Sequence, residues 1–135
     1  MKSPVLTVDS VIEINGKIVL IRRLANSFKG FWALPGGFVE YMETVENAAI
    51  REAKEETGLK IKIKRLIGVY SDPKRNPDKK HRVAVAFAAE KIGGKLRSGS
   101  DAGGIGLFSE RDMKKMKLAF DHNKMIGDYF KQRTV

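Results

Sequence analysis

Three carboxylates on one helical face constrain this chain more than any other feature. Residues 44–58 read as a helix. Thr44 can cap its N-terminus, Ala48, Ala49, Glu52, Ala53 and Glu55 are good helix formers, and Gly58 is placed to end it in the left-handed conformation. Within it Glu52, Glu55 and Glu56 stand at i, i+3 and i+4, so their side chains share a face. Carboxylates so placed repel one another unless positive charge sits among them. A solvated acidic surface, neutralised locally by Arg51 or Lys54, is the ordinary reading of such a run. The alternative is a hard divalent cation: Mg²⁺ commonly uses one or two carboxylates together with substrate phosphates.

The frame around the acids decides between the two. Gly37, Glu43, Arg51-Glu52, Ala53, Glu55-Glu56, Gly58 and Leu59 fall at spacings that resemble the Nudix box at every defined position, over 23 residues with nine specified. The lead-in Trp32-x-Leu34-Pro35-Gly36-Gly37 is also similar to that family. The resemblance implies an α/β/α sandwich around a mixed central sheet, and cleavage of a nucleoside diphosphate linked to another group. It also implies a metal site of Glu52 and Glu56, with Glu55 a third ligand, the Gly36 carbonyl completing the set, and Mg²⁺ or Mn²⁺ as the ion. Gly37, Glu43 and Gly58 are scaffold positions of the box. Arg51 cannot bind a cation, but it can pair with Glu55 or Glu43 and hold the acids in place. Glu52, Arg51, Glu55 and Asp101 are thus the catalytic candidates. The general base stays open between Glu52 and Asp101, an acid in a glycine-rich loop that also suits an ordinary turn.

Bulk properties set wider bounds. At 135 residues the chain is long enough for one closed core, and a single domain over 1–135 is expected. No apolar run approaches the length of a transmembrane helix, and the N-terminus lacks the apolar stretch of a signal peptide. The absence of cysteine excludes disulfides and thiol chemistry and fits a cytoplasmic protein. A net charge of +10 calls for anionic partners, which nucleotide phosphates supply and an RNA end would also supply. No membrane partner is expected, and family members often form homodimers.

In chain order, Val5 to Ile14 reads as a strand, Asn15-Gly16 as a two-residue hairpin turn, and Lys17 to Ile21 as the return strand, ended by Arg22 and Arg23. Trp32 to Leu34 is a short strand leading into glycines that let backbone approach a ligand closely. Lys60 to Leu66 alternates as a half-exposed strand, and Gly68 to Ser71 continues the sheet. Residues 72–80 form a polar loop between prolines. Arg82 to Glu90 is apolar on both faces and therefore central, with Ile92-Gly93-Gly94-Lys95 expected to turn it back. A flexible loop over Ser98 to Gly106 precedes Leu107-Phe108, which closes the sheet. Ser109 and Asp112 form a capping box for a short helix, and Met125, Ile126, Tyr129 and Phe130 make the apolar stripe of a final one.

The box fixes the reaction, not the leaving group. The segment Tyr70 to Pro77 followed by His81 resembles ADP-ribose pyrophosphatases, as do Pro73, about 14 residues beyond the box, and Leu118 to His122. This subgroup resemblance points to ADP-ribose as substrate, giving AMP and ribose 5-phosphate. Substrate-binding candidates are Arg22, Arg23, Trp32, Lys74, Arg75 and His81. The rival enzyme is a nucleoside triphosphate pyrophosphatase that removes modified nucleotides. A further rival is a Nudix fold that only binds a nucleotide or RNA, although such modules commonly carry degraded boxes and this box is intact.

Overall fold

The computed structural model describes residues 2–24, 27–97 and 104–133. The elements follow the order β1 (Val5–Ile14), β2 (Lys17–Arg22), β3 (Trp32–Ala33), β4 (Gly36–Phe38), α1 (Val45–Thr57), β5 (Leu59–Tyr70), a 3₁₀ turn (Pro73–Arg75), β6 (Arg82–Gly94), β7 (Ile105–Phe108), α2 (Glu110–Lys114) and α3 (His122–Arg133). The strands join in one mixed seven-stranded sheet of path β3-β2-β1-β6-β5, with β4 on β1 and β7 on β2. Parallel pairing of β1 with β6, from Val5 opposite Arg82 to Ile12 opposite Ala89, is its spine.

Local chemistry accounts for most of these boundaries. Asn15 and Gly16 both take positive φ, 50° and 79°, as the type I′ turn between right-twisted strands requires. Thr44 Oγ1 accepts from the Asn47 N–H at 3.1 Å to open α1, and Gly58 (φ 83°) closes it by donating to the Lys54 carbonyl. Ser109 and Asp112 form the reciprocal capping box of α2.

The two faces of the sheet carry different helices. Val11, Leu20 and Ala86 pack with Met125, Tyr129 and Phe130 of α3 and Met113 of α2. On the opposite face Ile12 and Val19 meet Ala53, while Val8 and Phe87 meet Ala48 and Ala49. Alternating residues of β1 thus feed two cores, and the result is an α/β/α sandwich.

Two local expectations change. β6 does not turn at Ile92: it continues through Gly94, pairing there with Leu59, because glycine backbone can lie where a Cβ on Gly94 would run into the Gly58 carbonyl. Gly36 and Gly37 form strand β4 together with Phe38, paired with Asp9 and Val8. The last strand begins at Ile105, with Ile105 to Phe108 antiparallel to β2. Asp101 lies outside the described residues.

Candidate active site

The inner face of α1 consists of Ala48, Ala49, Ala53 and Thr57, all buried. Small side chains there let the helix sit close to the sheet. Glu52 and Glu56, one turn apart, consequently meet the backbone of β4. Glu56 Oε1 accepts the Gly36 N–H at 2.7 Å. The Glu52 carboxylate lies over Gly37, where an added Cβ would stand 2.6 Å from the Glu52 carboxyl carbon. At Gly36 a Cβ would strike the Val8 carbonyl and the Asp9 carboxylate. Both glycines are therefore needed to make room for carboxylates of the protein itself.

Burial and crowding raise the pKa of both carboxyls of this pair. Burial pushes the Glu56 carboxyl up to about 8; the Gly36 N–H opposes the rise, and repulsion from Glu52 and Asp9 adds to it. Glu52 is raised as well, again first by burial, with Arg51 opposing. Arg51 organises the outer side. Its Nε and Nη2 donate to the two Glu43 oxygens at 2.8 and 2.9 Å, Nη1 donates to Glu52 Oε1 at 2.7 Å, and Nη2 also reaches the Phe38 carbonyl at 3.1 Å. Hydrogen bonding from Arg51 holds Glu43 down at about 2. Glu55 is 3.4 Å from Arg51 Nη1, and its side chain is 58% exposed, turned further from the sheet than Glu52.

Across the cleft stand residues from distant parts of the chain. Asp9 is buried in the middle of β1. His122, 3% exposed at the start of α3, accepts the Leu34 N–H on Nδ1 at 3.0 Å, which leaves the ring proton on Nε2, 3.4 Å from Asp9 Oδ1. Arg23 lines the same cleft, held by Nε donating to the Ser27 carbonyl at 2.8 Å, with its guanidinium 4.8 Å from the Phe120 ring centre. No carboxylate of the described residues forms an ion pair with it; burial lowers its pKa and the charge of Glu56 opposes this. Asn76, Arg82 and Phe120 complete the far wall.

The remaining substrate candidates separate. Arg75 touches the cleft, but its guanidinium makes a two-point ion pair with Asp121, Nε–Oδ2 2.8 Å and Nη2–Oδ1 2.6 Å, and its side chain is 6% exposed. Arg22 is exposed and donates to the Gly30 carbonyl. Trp32 packs edge-on against Phe108, 5.0 Å between ring centres, beside the α3 core. Lys74 and His81 are exposed and do not line the cleft; His81 Nε2 meets the Ser71 carbonyl. Sequence reasoning passed over Asp9 and Asn76. An acid in the midst of the β-branched run of β1 was the available signal for Asp9, since a charge there must find a site or a partner.

No three acids or histidines of the described residues are already gathered tightly enough to hold an ion. The donor set nevertheless suits one. Glu52 and Glu56 each commit one oxygen, Oε1, to a hydrogen bond, and the burial and neighbouring negative charge that raise both carboxyls are what a divalent cation would offset.

Comparison with known proteins agrees with this geometry. The NUDIX domain model matches residues 4–129. The chain belongs to the Nudix family. It is 51% identical over 131 residues to an ADP-ribose pyrophosphatase of Methanocaldococcus jannaschii, covering 97% of this chain and 76% of that protein. Among solved structures, the NUDIX domain of Shewanella oneidensis NrtR complexed with ADP ribose aligns at TM-score 0.84 and 25% identity, over 100% of this chain and 91% of that one. A bifunctional NMN adenylyltransferase/ADP ribose pyrophosphatase of Francisella tularensis, complexed with AMP and a Mn ion, aligns at TM-score 0.85 and 25% identity over 98% of this chain. The chain spans 42% of that larger protein. No helix of the described residues is long and apolar enough to cross a membrane.

Proposed function

We propose that the chain hydrolyses ADP-ribose at its pyrophosphate bond, giving AMP and ribose 5-phosphate, with Mg²⁺ or Mn²⁺ as the metal. The observation that carries the reading is the placement of Glu52 and Glu56 against Gly36 and Gly37, at one side of a cleft whose other side presents Arg23. A relative with 51% identity and that activity in its name supports the choice of substrate.

Glu52 and Glu56 would hold the cation through their oxygens not engaged by Arg51 and Gly36. When bound, such an ion neutralises phosphate charge and lowers the pKa of a coordinated water. Arg51 keeps Glu52 in place through the Glu43 bridge. Arg23, a cation with no ion-pair partner among the described residues, is placed to bind a phosphate oxygen. Water adds to one phosphorus, the bond to the bridging oxygen breaks, and the proton released goes to Glu52 or Asp101. Cytoplasmic nucleotide turnover is the setting that fits.

Rates for ADP-ribose and the common nucleoside triphosphates, compared at equal Mg²⁺, test the substrate. ADP-ribose should give the higher kcat/KM, with AMP and ribose 5-phosphate as products. A triphosphate preferred by tenfold, about 1.4 kcal/mol in transition-state binding, together with release of inorganic pyrophosphate, would overturn the reading.

A further inference from the structure

Phe120 carries a backbone conformation that residues with side chains seldom adopt: its φ is 54°. The residues around it are tied to three different elements. The Ala119 N–H donates to the Trp32 carbonyl at 2.9 Å, Asp121 pairs with Arg75, and His122 Nδ1 accepts from the Leu34 N–H. The chain reverses between these anchors, at Phe120. Glycine would take this conformation freely, so an aromatic ring kept here at a cost implies a use for the ring.

That ring lines the cleft, beside three arginines that also line it. Arg75 and Arg82 are taken by Asp121 and Asp78, and only Arg23 forms no ion pair among the described residues. Two other contacts hold Arg23. Its Nε donates to the Ser27 carbonyl at 2.8 Å, and its guanidinium carbon stands over the Phe120 ring, 4.8 Å from the centre. Neither contact brings a negative charge that a phosphate would have to displace. A carboxylate in place of the ring would grip the guanidinium and neutralise it, whereas a ring face attracts a cation and leaves its charge intact. Arg82, 5.8 Å from the same ring centre, repels Arg23, so the seat is held against like charge. Phe28, also at positive φ (60°), packs on Phe120 with ring centres 4.8 Å apart and does not line the cleft. It braces the ring and does not meet the ligand.

Resting on the reading of Arg23 as a phosphate ligand, we propose that Phe120 is a positioning residue: its ring holds the Arg23 guanidinium at the cleft as an unneutralised cation for a phosphate oxygen. Phe120 thus acts through Arg23 and not as a platform for the base.

Inorganic pyrophosphate tests this, because it offers phosphates and no base. Calorimetry at saturating Mg²⁺ gives its affinity for wild type, Phe120→Leu, Phe120→Tyr, Arg23→Gln and the double variant carrying Phe120→Leu with Arg23→Gln. Phe120→Leu keeps apolar bulk and should weaken binding about three- to tenfold, the range of one cation–π contact. Phe120→Tyr keeps a ring face and should stay within about twofold of wild type. In the Arg23→Gln background, Phe120→Leu should change affinity by less than about twofold, since no cation is left to hold. Should Phe120→Leu not fold, Phe120→Gly takes its place, because glycine adopts a φ of 54° without strain. A loss that persists in the Arg23→Gln background marks a ring that stacks or merely packs, and overturns the role. So does Phe120→Leu binding as tightly as wild type, or wild type binding no more tightly than Arg23→Gln. Failure of wild type to cleave ADP-ribose overturns the substrate reading alone, because these affinities are read without turnover and decide the role of Phe120 by themselves.

Discussion

The two ends of the cleft handle charge in opposite ways. On the α1 side acids outnumber the cation: Arg51 alone serves Glu43, Glu52 and Glu55, and burial raises Glu52 and Glu56. On the loop side Arg75 and Arg82 each have their own aspartate, and only Arg23 lacks an ion-pair partner among the described residues. Arg75 pairs with Asp121, and Arg82 grips Asp78, whose carboxyl is held down at about 2 by that contact. One end stores unbalanced negative charge, as the proposed cation site requires; the other neutralises itself at Arg75 and Arg82 and forms a wall. Chemistry should therefore be lost by changing the first end, and stability by changing the second.

The largest effect belongs to Glu56→Gln. It keeps the shape and the acceptor for Gly36, and removes one charge from the cation site. Altering groups that merely support metal ligands commonly costs 10–100-fold, so loss of a ligand charge should cost about a thousandfold in kcat, roughly 4 kcal/mol. Circular dichroism should be unchanged. Near wild-type turnover at saturating Mg²⁺ would break the contrast at its stronger end.

Arg75→Ala should do the reverse. Removing one partner of a pair this enclosed leaves Asp121 without its counter-charge, and about 3 kcal/mol of stability should go. Urea unfolding gives that number directly. If kcat for ADP-ribose collapses in the folded variant while the unfolding midpoint holds, Arg75 contacts the substrate and the wall is more than a wall.

Arg51→Lys asks how much of the first end is geometry. Lysine keeps the charge but cannot span both Glu43 oxygens and Glu52 together. A loss of about ten- to a hundredfold in kcat, with a higher Mg²⁺ requirement, is expected. Full activity would mean that charge alone positions Glu52.

This contrast also explains what could be read from the sequence. Gly37, Glu43, Arg51, Glu52 and Glu56 lie within one turn-helix segment, where spacing fixes geometry, so their cluster was legible. So were α1's two caps, the Asn15-Gly16 turn and the α3 stripe. The loop wall joins Arg75 to Asp121 and Ser27 to Asp78, pairs 46 and 51 residues apart. No local period links such residues; only the parallel β1–β6 pairing and the docking of α3 bring them together. Arg75 accordingly looked like a free cation for substrate, when a half-buried aspartate, Asp121, already occupied it. Gly36 and Gly37 were legible as close-approach positions, but what approaches them within the chain is Asp9 and Glu52.

The smallest effect is the pH response of Asp78, and it probes the wall alone. Its Oδ1 accepts from Arg82 Nη1 and the Lys80 N–H, and its Oδ2 from Arg82 Nη2 and Ser27 Oγ. These bonds favour the ionised form, so the folded chain holds Asp78 at about 2, while an unfolded aspartate titrates near 3.9. A depressed acid stabilises the fold fully above the unfolded value, and that stability is lost as pH falls through the folded one. Between about pH 4 and pH 2, wild type should therefore lose unfolding free energy more steeply than Asp78→Asn, and the two curves should run parallel above pH 5. Because the pair is exposed, the extra slope should shrink in 1 M salt. Equal slopes at low salt would show that the Arg82–Asp78 contact does not constrain the loop, and that Arg82 is available to the ligand after all.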